Sequence, residues 1–203
     1  MLIFFLQCIK LAIYTLPLFI YFHILLVLFY SVSKTLKMGT EWLKNMCGMS
    51  LTDQQMETVP YTTTELVIHV TTKTVQTFGL LGTTLVGPIA AVLKKETRNL
   101  PGIKHKMTRA GRCGLILGLA TGPLMTYMKI KDEEEYKIWD RCYRLRHNRG
   151  QVRVDQYSFV GAVAGAGVGV AAGSGALFGG LVGMSSGILL SATVTNVFNK
   201  PKN

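Results

Sequence analysis

The sequence predicts an all-α membrane protein, a four-helix glycine-striped transmembrane bundle with an additional apolar helix at its N-terminus. Three observations carry that expectation. Of the 203 residues, 49% are hydrophobic and 16% are charged, whereas a soluble domain carries about 25% charged residues. The mean hydropathy is +0.31. Runs without Lys, Arg, Asp or Glu recur after residue 70, and inside them glycine returns every four residues. Each such glycine weakens a soluble helix by about 1 kcal/mol relative to alanine, but in a membrane it lets a neighbouring backbone approach closely.

The first element in order is the apolar run Leu11–Tyr30, preceded by Lys10 and followed by Lys34 and Lys37. No small-x-small cleavage site follows it, so a secretory signal fits poorly. Two readings stay open: a membrane anchor, or an extension ahead of a start at Met38. Residues 1–37 are therefore separated from a polar segment, 38–74, and from a membrane domain, 75–198, with a short tail at 199–203.

The four expected spans are residues 75–93, 113–128, 157–172 and 176–194. A 16-residue helix reaches roughly 24 Å, short of a core of about 30 Å, so the second and third spans need flanking turns to cross. Thr62 and Glu65 have capping-box spacing after Pro60, which predicts that the first helix begins near Thr63, outside the membrane. The small-residue stripes are Gly114, Gly118 and Gly122 in the second span and Gly161, Gly165, Gly169 and Gly173 in the third. The fourth carries Gly175, Gly179, Gly183 and Gly187. These residues are expected to pack the helices together.

Charge sets the expected orientation. Lys94, Lys95, Arg98, Lys104, Lys106, Arg109 and Arg112 face a single acid, Glu96, in the connection between the first two spans. That connection is placed on the cytosolic or matrix side. Lys104, Lys106, Arg109 and Arg112 are also candidate ligands for anionic lipid head groups, cardiolipin among them. The connection 129–156 is longer and mixes basic residues with the acidic run Asp132–Glu135, as a short polar helix would.

The formal charge of +11 lies beside the spans, so a nucleic-acid partner is not expected. Cys8, Cys47, Cys113 and Cys142 show no metal-ligand spacing, and the four histidines form no triad pattern with a nucleophile. No catalytic residue, cofactor, metal or small-molecule substrate is inferred. Membrane lipids and other membrane subunits are the expected partners.

The stretch "IKHKMTRAG", the glycine-striped span after it, and "WDRCYRLRHNRGQVRVDQYSFVGAVAG" together resemble the channel-subunit (Tim-type) family of the mitochondrial inner-membrane import translocases. That family includes a membrane accessory subunit of respiratory complex I, which "YSFVGAVAG" resembles most. Asp140, Arg144, Arg146 and Asp155 match the family's acid, basic stretch and following acid. Asp140 and Cys142 stand one residue further apart than the family's adjacent pair, and "KIKDEEEYKIW" looks like an insertion.

The resemblance implies an inner-membrane location and a non-enzymatic accessory or assembly role in a membrane complex. It also implies a disulfide between Cys47 and Cys142, since translocase subunits pair a cysteine before span one with one after span two. An import translocase subunit or solute pore is the alternative, set second because the spans carry no acids to line a cavity. A second alternative is an endomembrane protein held by Leu11–Tyr30 as a signal anchor.

Overall fold

A computed structural model describes residues 41, 44, 45 and 47–198, the last four by their backbone alone. Leu11–Tyr30, Cys8, the boundary at residues 37/38 and the tail lie outside the described residues.

The described chain is helical. After a short helix α1 (Asp53–Glu57) come α2 (Thr62–Leu81), a π-helical turn (Gly82–Val86) and α3 (Gly87–Leu93). A 3-10 turn (Lys95–Thr97) leads to α4 (Leu100–Ile130), followed by α5 (Glu135–His147), α6 (Arg149–Ala171) and α7 (Ala176–Phe198). Among the described residues, three helical stretches are long and apolar enough to cross a membrane: Thr62–Leu93, Leu100–Ile130 and Ala176–Val194. Helix α6 is 23 residues long but places Arg149, Arg153 and Asp155 in its first two turns.

Local chemistry explains the boundaries. The backbone runs as helix from Thr62 to Leu93, with a widened turn where Gly87 donates to the Gly82 carbonyl. Pro88 follows immediately; it lacks an N–H and its ring crowds the carbonyl four residues back, so the wider turn relieves the clash. The expected capping box at Thr62 and Glu65 is not formed. Tyr61 precedes the helix with φ +60 and makes no side-chain cap, and Glu65 is used elsewhere. A capping box is found at α1 instead, where Thr52 and Gln55 each accept from the other's backbone N–H at 3.3 and 3.0 Å.

The basic connection is mostly helix rather than loop. Asn99 accepts from Gly102 N at 2.7 Å and starts α4 there, so Lys104, Lys106, Arg109 and Arg112 lie on its first turns. The second span therefore has the length that residues 113–128 lacked.

Glycines set the helix separations. Helices α2 and α4 run antiparallel: a Cβ placed on Gly118 would lie 2.5 Å from Val75 Cα, and one on Gly122 would lie 2.5 Å from Thr71 Cα. A Cβ on Gly114 would overlap the Phe78 carbonyl. Across this seam the Thr74 hydroxyl donates to the Gly118 carbonyl at 2.8 Å.

Helices α6 and α7 meet the same way. Gly161 faces Gly183, Gly165 faces Gly179, Gly169 faces the Gly175 carbonyl, and Gly187 faces the Tyr157 carbonyl. Gly173 and Gly175 receive no neighbouring backbone on their own Cα as the other stripe glycines do, although the Gly175 carbonyl abuts Gly169. They form the α6–α7 turn at φ +63 and +92, and a Cβ on either would meet nothing within 4 Å. Helix α7 also joins the two pairs, with Leu181 against Gly111 and Met184 against Gly79.

Small groups fill the buried interior, among them Thr83, Ala91, Thr126 and Ser191, while Leu85, Ile89, Leu124, Val160, Val163 and Leu190 are exposed. This inversion suits an apolar solvent, in which large aliphatic side chains gain nothing from burial.

Candidate functional site

Polar side chains concentrate where α2 begins, at the end opposite the basic turns of α4. Helices α2, α5 and α6 supply most of them, Asn45 adds one from ahead of α1, and the hydrogen bonds among them join one element to another.

Arg146 on α5 and Glu65 on α2 form the centre. Arginine Nε donates to both carboxylate oxygens, at 2.9 and 3.1 Å, and a second guanidinium nitrogen donates to Oε2. A third nitrogen donates to the Met56 carbonyl near the end of α1. Asn45 Nδ2 donates to the Arg146 carbonyl at 3.1 Å. A planar guanidinium grips the carboxylate with two N–H donors and still offers a third to the carbonyl, a rigid fork that lysine's single ammonium lacks. Around this pair Leu66, Ile138 and Cys142 form a small apolar core, with Val70, Ile130 and Leu145 packed against it.

Two helical turns further along α2, Lys73 pairs with Asp155 of α6 at 2.6 Å. Gln76 Nε2 donates to Asp155 Oδ1 at 2.8 Å and to Ser158 Oγ at 2.7 Å. Between the two ion pairs lies a cavity of about 50 Å³, lined by Asn45, Glu65, His69, Thr72, Arg146 and Asp155 among others. The α2 side of this site is a stripe of Glu65, His69, Thr72, Lys73 and Gln76, spaced to lie on one helix face. Charges here neutralise one another, so the arrangement fastens α5 and α6 to α2. Among the described residues, no three His, Cys, Asp or Glu side chains converge to hold a metal.

Outside this buried centre, α5 is tied down by exposed contacts. Trp139 Nε1 donates to the Glu57 carbonyl at 3.2 Å, and His147 approaches Asp53 at 3.2 Å. Tyr136, Trp139, Tyr143 and His147 stack along one face of the helix, with centroids 6.0, 5.4 and 4.3 Å apart.

The residues on which the translocase resemblance rests divide. Arg146 and Asp155 are the two buried ends of the site, whereas Asp140 and Arg144 pair at 2.6 Å on the surface of α5, one turn apart. Glu65, Lys73, Gln76, Ser158 and Asn45 were not among the sequence candidates. The signal that finds Glu65, Lys73 and Gln76 is the α2 stripe itself, polar residues recurring on one face of an otherwise apolar helix; no such pattern marks Ser158 or Asn45.

Cys47 and Cys142 are free thiols, which corrects the disulfide expectation. The reason is geometric: Cys142 Sγ is enclosed and donates to the Thr62 carbonyl at 3.2 Å, while Cys47 is exposed beside the α6–α7 helix pair. Burial, with the nearby Glu65 carboxylate adding to it, pushes the Cys142 thiol up to about 12.

The four candidate head-group ligands do not form one cluster. Lys104 lies over the Phe178 ring of α7, 5.6 Å from its centroid. Lys106 and Arg109 line a groove between α2 and α4, and Arg112 is exposed.

A family model described as a protein of unknown function, DUF1757, matches residues 42–194. The chain belongs to this family. The DUF1757 match spans every helix from α1 to α6, nearly all of α7, and both ends of each buried ion pair. No curated protein matches the chain.

Proposed function

We propose that this chain is a non-enzymatic protein of the mitochondrial inner membrane, an accessory or assembly subunit of a large membrane complex, with complex I the first candidate. In this reading α6 also crosses the membrane, as the third of four spans, and α2–α3, α4, α6 and α7 form a glycine-zipped bundle of the Tim type.

One observation carries the reading. On the outer side of the α6–α7 pair an open furrow of about 990 Å³ runs along the helices. Its floor is Gly161, Ala164, Gly165, Gly183 and Ser186, and Ala164 and Ser186 are exposed. A surface meant only for lipid gains nothing from small and hydroxylated residues, whereas a helix of another subunit packs closely against them. The buried ion pairs support the same role, because they hold the helices in a fixed arrangement and leave no unpaired acid facing a conduit.

The test is a native gel of digitonin-solubilised mitochondria from cells expressing the full chain with a C-terminal tag. Comigration with complex I or its assembly intermediates supports the reading. A smaller mitochondrial complex would favour the translocase alternative, and absence from mitochondria would favour the endomembrane one.

A further inference from the structure

A second groove, of about 520 Å³, lies on the outer face of the α2–α4 pair. Phe78, Leu81, Val86, Ala90 and Leu117 form its walls. Gly82, Ala110 and Gly114 let it run deep, because here the two backbones nearly touch. Along α4 it extends from Lys106 to Leu117, roughly 16 Å. Its apolar length follows the two membrane-crossing helices. One end differs: Lys106 and Arg109 stand there together, where the apolar stretch Thr62–Leu93 gives way to Lys94 and Lys95.

Neither cation has an acidic partner among the described residues, and no Asp or Glu lines the groove. The larger α6–α7 furrow contrasts with it, since no charged side chain lines that one. An apolar trough with two unpaired cations at its membrane-surface end is complementary to a molecule with an anionic head and a hydrocarbon tail.

We propose that this groove binds one anionic phospholipid, its phosphate held by Lys106 and Arg109 and one acyl chain laid along α2 and α4. The proposal depends on the chain sitting in a bilayer and not on which complex it joins, so it can fail while the accessory-subunit reading stands, and the reverse.

Cys113 lines the groove and is exposed, which makes it a local reporter. The experiment uses the full chain with Cys8→Ser and Cys47→Ser in neutral detergent, and follows the rate at which N-ethylmaleimide alkylates Cys113. Phosphatidylglycerol is expected to slow the reaction about tenfold more effectively than phosphatidylcholine at equal concentration. Lys106→Gln/Arg109→Gln should abolish that selectivity, while Lys129→Gln, at the other end of α4, should leave it intact. Equal protection by both lipids, protection by glycerol phosphate alone, or selectivity that survives in the double variant would each overturn the proposal. So would protection that rises with protein concentration in the absence of lipid, because a second copy would then fill the groove.

Discussion

Arg146 on α5 and Glu65 on α2 stand 81 residues apart in the chain and meet as a two-pronged ion pair, their side chains 1% and 5% exposed. Burying two charges is costly, and the mutual attraction offsets that cost only while both partners remain. The pair is therefore most informative when one half is removed.

Arg146→Ala should cost about 3–5 kcal/mol, because it strands the Glu65 carboxylate and leaves the Met56 carbonyl unpaired. Glu65→Leu combined with Arg146→Met should cost far less than the single change. Thermal unfolding in detergent, followed by the fluorescence of Trp139 on the same helix, measures both. Equal losses for the single and double variants would mean that the pair does not hold α5 in place.

The elements of this fold were legible in the sequence to different degrees. Apolar runs and four-residue glycine spacing pointed to the right helices, because close backbone contact needs small residues at fixed intervals and glycine allows the closest. Boundaries were less visible. Charged turns such as Leu100–Arg112 continue a helix beyond its apolar part, and a hydropathy reading ends where the charge begins. Glu65 illustrates the site's difficulty: its local spacing to Thr62 suggests a cap, and only the fold brings Arg146 within reach. Gly173 and Gly175 kept the stripe's spacing but lie at positive φ, which spacing alone does not reveal.

Glycines at the helix seams should tolerate no side chain. Gly118→Leu and Gly165→Leu force apart backbones that now touch, and each should cost about 1–3 kcal/mol or more. Gly167→Ala is the control, since nothing lies within 4 Å of its Cβ position; it should be neutral or slightly stabilising. Midpoints of thermal unfolding in one detergent rank the three. A loss at Gly167 equal to that at Gly165 would show that the seam is not where the structure places it.

Thiol chemistry should separate the cysteines sharply. With its thiol raised to about 12, Cys142 is almost wholly protonated at pH 8 and should resist alkylation in the folded protein, while exposed Cys47 reacts. The linkage has a definite sign. A folded value above the ordinary 9.0 means the folded state holds its proton longer than the unfolded state, so this contribution to stability is complete below pH 9. It is lost as pH rises from 9 towards 12. Cys142→Ala should remove this alkaline dependence, and unfolding midpoints between pH 8 and 11 would reveal it. A mobility shift of the wild-type chain on reduction, absent in Cys47→Ser, would instead restore the disulfide.

The proposed placement in the inner mitochondrial membrane puts the buried polar site at one face and the basic turns of α4 at the other. Single-cysteine chains test it most directly, one retaining Cys47 near the polar site and one carrying Glu96→Cys ahead of α4. In mitoplasts a membrane-impermeant maleimide should label Cys47 from outside, and should reach the cysteine at position 96 only after the membrane is lysed. Labelling of both from the same side, or recovery of both chains outside the mitochondrial fraction, would contradict the account.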